Sequence, residues 1–193
     1  MKMACRGARL VAAMLVLPAC GKQVEEAPAF IEDPICTASD ADPRSLSGVA
    51  RLEGEYRLLL TVREGGKTEA STAGTLTLVR RDSAGVPFYG WTDVDLSEVD
   101  AHQLGALDSR SMESPGVLVL TTGYPDDPGR IRGVTIRLGS NANRSGMAVF
   151  DGAYTALYVR WISEGGFGGD WASGVRGPEV TGDFCAIRAL PSE

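Results

Sequence analysis

The chain has 193 residues, a formal net charge of −6, one histidine and four cysteines, with 44% hydrophobic and 23% charged residues. That apolar share supports a packed core and excludes a disordered chain. The acidic balance argues against a nucleic-acid partner, which needs a basic footprint, and against a peripheral hold on anionic lipid.

The opening "MKMACRGARL" carries Lys2, Arg6 and Arg9, and no acid precedes Glu25. An apolar run, Leu10 to Leu17, follows directly. It is about half of the roughly 20 residues a bilayer span requires, so the layout is that of a secretory signal. The run ends Leu17-Pro18-Ala19-Cys20. This resembles a bacterial lipobox, with Leu at −3, a small residue at −1 and Cys at +1. The resemblance implies cleavage after residue 19 and S-lipidation of Cys20, which becomes the mature N-terminus. It implies a protein exported and lipid-anchored to the cell envelope, at the outer membrane in a diderm host because Gly21 follows the cysteine. Two acyl chains or more hold a protein durably, where one is marginal.

Signal removal takes away three cations and no acid, so the mature chain is more acidic still. It also removes Cys5, and Cys20 is committed to lipid. Cys36 and Cys185 remain, and in an oxidising compartment a lone pair is most simply a disulfide. Residues 20–48, rich in Pro, Ala, Ser and acids, read as the tether and linker. The domain spans 49–190, with a tail at 191–193.

The domain's elements are strand-like. In "LEGEYRLLLTVRE" (52–64) Tyr56, Leu58, Leu60 and Val62 alternate with Arg57, Leu59, Thr61 and Arg63, the period-2 signal. "GTLTLVRR" (74–81) repeats it, and "EGGKTEASTAG" between the two is expected to be a turn-rich hairpin connection. Further strand candidates cover 86–96, 116–122, 131–139, 146–150, 154–163, 167–174 and 180–188, parted by turn signals such as "GYPDDPG" and "SNANRSG". The interval 97–115 is long and irregular, a short helix or a lid-like loop.

Eight or nine short strands with hairpin connections predict an all-β fold, a single antiparallel up-and-down β-barrel, with a β-sandwich as the alternative. Closure removes exposed edges. The opening strand with Gly54-x-Tyr56, the consecutive hairpins and the late "GFGGDWASG…GDFC" are similar to the small lipocalin-like barrels of bacterial lipoproteins. That resemblance covers about residues 49–188.

No catalytic motif accompanies His102, so no enzyme activity and no cofactor are expected, the alternative being a hydrolase whose site is assembled only in space. Asp93 and Asp95 share a strand face and are the candidate ligands for a hard cation, but their surroundings lack the EF-hand spacing, and a solvated strand end is the plainer reading. "EGGFGGDW" does not open a helix, so its glycines mark bends or close backbone approach rather than a phosphate cradle. Two functions stay open. A hollow barrel would bind a small apolar or amphipathic ligand, with Tyr56, Trp91 and Trp161 in its wall and Leu104, Leu107 and Met112 in a flap over its mouth. A filled barrel would be a scaffold or protein-interaction module of the envelope.

Overall fold

The computed structural model describes residues 39–64, 67–83, 85–102, 110, 116–124, 126–139, 154–175 and 177–189. Eight strands follow one another: β1 (Gly54–Glu64), β2 (Lys67–Arg80), β3 (Phe88–Thr92), β4 (Val117–Tyr124), β5 (Asp127–Leu138), β6 (Tyr154–Ser163), β7 (Gly166–Gly174) and β8 (Val180–Arg188). Each pairs antiparallel with the next, and β1 also pairs with β8, Tyr56 facing Arg188 and Val62 facing Gly182. The result is one sheet that closes into a ring, not the two facing sheets of a sandwich. Its closure leaves neither β1 nor β8 as an edge.

The strand pattern read from sequence agrees closely at β1, β6, β7 and β8. The 146–150 candidate lies outside the described residues. Other bounds differ: residues 127–129, expected within a turn, open β5, only Phe88–Thr92 of the 86–96 candidate is strand, and Lys67–Gly74, expected as turn, is the first half of β2 and pairs with β1 from Leu58 to Glu64. Its inward positions are Ala70, Thr72 and Gly74, too small to show an apolar alternation.

Period-2 alternation sends one set of side chains inside the ring. Tyr56, Leu58, Leu60, Leu76, Leu78, Phe88, Val117, Val119, Ile136, Leu157, Phe167, Trp171 and Phe184 form a single buried cluster. Tyr56 and Phe167 meet edge-to-face with centroids 4.9 Å apart, and Phe167 and Phe184 at 6.1 Å. The Trp171 indole is buried and donates its N–H to the Thr61 carbonyl at 2.9 Å.

Both ends of the ring are closed. A short helix, α1 (Leu46–Ala50), precedes β1 and is capped by Ser45, whose hydroxyl accepts from the Gly48 N–H. Val49 and Leu52 from this segment are buried in the core. At the other end the chain leaves β3 and turns into a 3₁₀ helix, Leu96–Val99, which sends Leu96 and Val99 into the same cluster. The segment between β3 and this helix passes so close over Gly74 that a Cβ there would lie 2.6 Å from the Val94 backbone. Only glycine fits beneath it.

Residues 39–45, which the sequence reading placed in the linker, also bond to the sheet. The Asp40 and Ala41 N–H groups donate to the Ile162 carbonyl on β6, and the Ile131 N–H on β5 donates to the Arg44 carbonyl. Between these contacts β5 and β6 have parted, their ladder running only from Val134↔Val159 to Leu138↔Thr155.

Candidate functional site

Of the three residues proposed from sequence to wall a cavity, Tyr56 and Trp91 both border one surface groove, and Trp161 is not among its lining residues. Tyr56 points into the ring and is buried there. Its ring is covered by Arg188, whose guanidinium lies 4.9 Å from the ring centroid. That guanidinium also donates to the Tyr56 hydroxyl and the Arg51 carbonyl, each at 2.7 Å, and to the Glu53 carbonyl at 3.0 Å. Burial pushes the Tyr56 phenol up to about 12, against the opposing pull of nearby Arg188. Tyr56 is therefore committed to joining the last strand to the α1–β1 turn.

Trp91 faces outward on β3 between the buried Gly90 and Thr92, and Trp161, half-buried on β6, packs against the core cluster. Trp161 lies against Gly168 of β7, where an added Cβ would meet both its ring and, at 2.6 Å, the Phe184 carbonyl. Leu104, Leu107 and Met112 lie outside the described residues. The segment that leads to them begins as a plug of the core, since Leu96 and Val99 fill the ring's end.

A groove of about 380 Å³ does exist, on the outside of β1–β3. Its lining includes Glu55 and Arg57 of β1, Thr75 and Thr77 of β2, Trp91 of β3, and Arg110. The hairpin register builds it: Glu55 faces Thr77, Arg57 faces Thr75, and Thr77 faces Trp91. The Arg110 guanidinium sits 5.6 Å from the Trp91 ring centroid, a cation–π contact. Alternation marks the strand positions of this groove as outward-facing, but no sequence signal brings Arg110 to Trp91, because it belongs to the irregular interval.

The remaining polar candidates are used structurally. The Asp93 carboxylate accepts from the Thr75 N–H at 2.6 Å. Asp95 caps the 3₁₀ helix, accepting from the Ser97 hydroxyl and N–H at 2.6 and 3.0 Å, and these bonds hold its carboxyl below the usual range. Among the described residues no cluster of His, Cys, Asp and Glu could hold a metal ion. His102 pins the chain beyond the 3₁₀ helix to β6 and β7. Its N–H donates to the buried Ser173 hydroxyl at 2.6 Å, its carbonyl accepts from the Thr155 hydroxyl at 3.0 Å, and its ring lies 2.7 Å from the Glu179 carboxylate. Ser173 is thus engaged by the histidine backbone rather than offered to its ring as a nucleophile would be.

Cys185 is fully buried on β8 and has a partner. Cys20 and Cys36 lie outside the described residues. No helix among the described residues is long and apolar enough to cross a membrane. Comparison with known proteins gives no family, relative or fold to which the chain can be assigned: no family model, curated protein or solved structure matches it.

Proposed function

We propose that the chain is an exported lipoprotein, held to the cell envelope through Cys20, whose lipocalin-like β-barrel is packed solid and acts as a scaffold or protein-interaction module. The observation that carries this reading is the interior. Tyr56, Phe167, Trp171 and Phe184 fill the ring, and Leu52 and Leu96 are buried at its two ends. A barrel of eight strands is just wide enough for side chains or one small ligand, and here side chains occupy it. Its working surface is then the outside, where the β1–β3 groove offers a tryptophan, two arginines and threonines, a composition suited to a polar protein surface. The lipocalin-like assignment draws support from the nearest-neighbour strand order and from the position of Tyr56 two residues after Gly54.

The test is uptake of an apolar fluorescent probe by the full-length chain. The filled barrel is expected to show no saturable enhancement and no quenching of tryptophan emission. Saturable uptake at micromolar concentration would restore the hollow, ligand-binding alternative. Anchoring is tested separately: Cys20→Ser is expected to leave the signal uncleaved and to abolish labelling by a radioactive fatty acid. Labelling that persists would place the lipid on another residue, and a parent chain that takes up no label would remove lipid from the account.

A further inference from the structure

We propose that the vertex where β5 and β6 part is an oxyanion-binding site, taking a phosphate or a phosphate ester. Below Val134↔Val159 the two strands no longer pair, and residues 39–45 enter between them, bonded to Ile162 on one side and Ile131 on the other. A cleft of about 110 Å³ remains at the apex, lined by Pro43, Arg44, Arg132, Gly133, Tyr158 and Arg160 among others. That volume holds several waters, and hence a tetrahedral oxyanion.

Three separate elements deliver arginines to this one cleft: the entering segment, β5 and β6. Guanidinium forks match the oxygens of phosphate, which is why arginine recurs where such groups are held. Arg160 is fixed by the Asp170 carboxylate at 2.7 Å, and Arg132 lies 5.0 Å from the Tyr124 ring centroid. Arg130, two residues earlier on the same strand, lies over the same ring at 5.8 Å. The carboxylates bonded at the rim are Asp170 and Asp42, the latter accepting from the Arg44 N–H at 2.8 Å. The residues that line the cleft include three arginines and no carboxylate, against the acidic balance of the whole chain, and the local field governs what binds. The floor is open: a Cβ added to Gly133 would meet nothing within 4 Å.

That open glycine supplies the decisive variant. Gly133→Leu fills the cleft while leaving every arginine in place, and Arg132→Gln removes one fork while leaving the space. The full-length chain is titrated with inorganic phosphate at low salt, by calorimetry, with the thermal midpoint of each variant measured alongside. Saturable binding is expected, weakened about tenfold by Arg132→Gln, as for loss of one charge-assisted contact, and lost in Gly133→Leu. Arg81→Gln, outside the cleft, is expected to bind as the parent does. Absence of saturable binding, or binding that both cleft variants retain, would overturn the site. If Gly133→Leu does not fold, Arg132→Gln decides alone. Competition separates the sources: phosphatidylglycerol vesicles that displace phosphate assign a lipid headgroup, and vesicles that leave the isotherm unchanged assign a soluble phosphate.

Discussion

At the scale of single residues, Tyr56 shows how one side chain takes several duties. Its ring fills the core, its hydroxyl accepts from Arg188, and it can donate in turn to the carbonyls of Arg51 or Glu53. Because burial raises its pKa, the folded state holds the phenolic proton more tightly than the unfolded chain, whose tyrosine titrates near 10. This contribution is complete below pH 10 and is lost as pH climbs from about 10 toward 12, at most about 2–3 kcal/mol. Alkaline unfolding monitored by circular dichroism is expected to steepen over that window in the parent and to flatten in Tyr56→Phe. An identical pH slope in the two proteins would contradict the assignment. The position of Tyr56 on the inner face is legible in the sequence, because four apolar residues recur at every second place. Its partner Arg188 is not, since the pairing depends on β1 meeting the last strand, 132 residues away.

At the scale of elements, the 3₁₀ helix explains what the sequence hides. Strands rich in large alternating residues declare themselves, as in 52–64 and 154–163. The first half of β2 does not, because its inward residues must be small where Val94 crosses and Leu96 and Val99 enter. A turn-like composition there reflects room left for a neighbouring element. For the same reason the interval from 97 reads as irregular, although Val99 within it is buried in the core. Leu96→Ala is expected to cost about 2–5 kcal/mol, the range for truncating a fully buried leucine. Gly74→Ala should cost a comparable amount by pushing Val94 outward. Urea denaturation measures both. Values within 0.5 kcal/mol of the parent, the size of a surface change, would mean that the helix does not plug the core. The groove on β1–β3 was half legible in the same way: alternation puts Arg57, Thr75 and Trp91 outside, and only the three-dimensional register sets them side by side.

At the scale of the molecule, the entering segment and the last strand raise the question of how the chain's beginning is tied to its end. Ser39 lies over β6, its hydroxyl 3.3 Å from the Ile162 carbonyl. Ile162 faces Phe167 on β7, and Phe167 faces Ala186 on β8, the neighbour of Cys185. Two strand spacings of about 4.8 Å separate β6 from β8, close to 10 Å. Cys36 stands three residues before Ser39, and three extended residues reach about 10 Å. That reach is enough to span from Ser39 to Cys185, which is disulfide-bonded, and we propose Cys36 as its partner. The proposed bridge would lash the entering segment across the outside of three strands, next to the place where Trp161 lies on Gly168. By constraining a loop of this length it would stabilise the fold by up to about 4–5 kcal/mol on the chain-entropy model. Non-reducing peptide mapping is expected to recover Cys36 joined to Cys185. The paired Cys36→Ser, Cys185→Ser variant should unfold at lower urea and be cut sooner by protease between residues 39 and 48, where the bonds to β5 and β6 would then have to hold unaided. Two alkylatable thiols in the exported protein, or a paired variant as stable as the parent, would show that the backbone contacts to Ile131 and Ile162 fasten the segment by themselves.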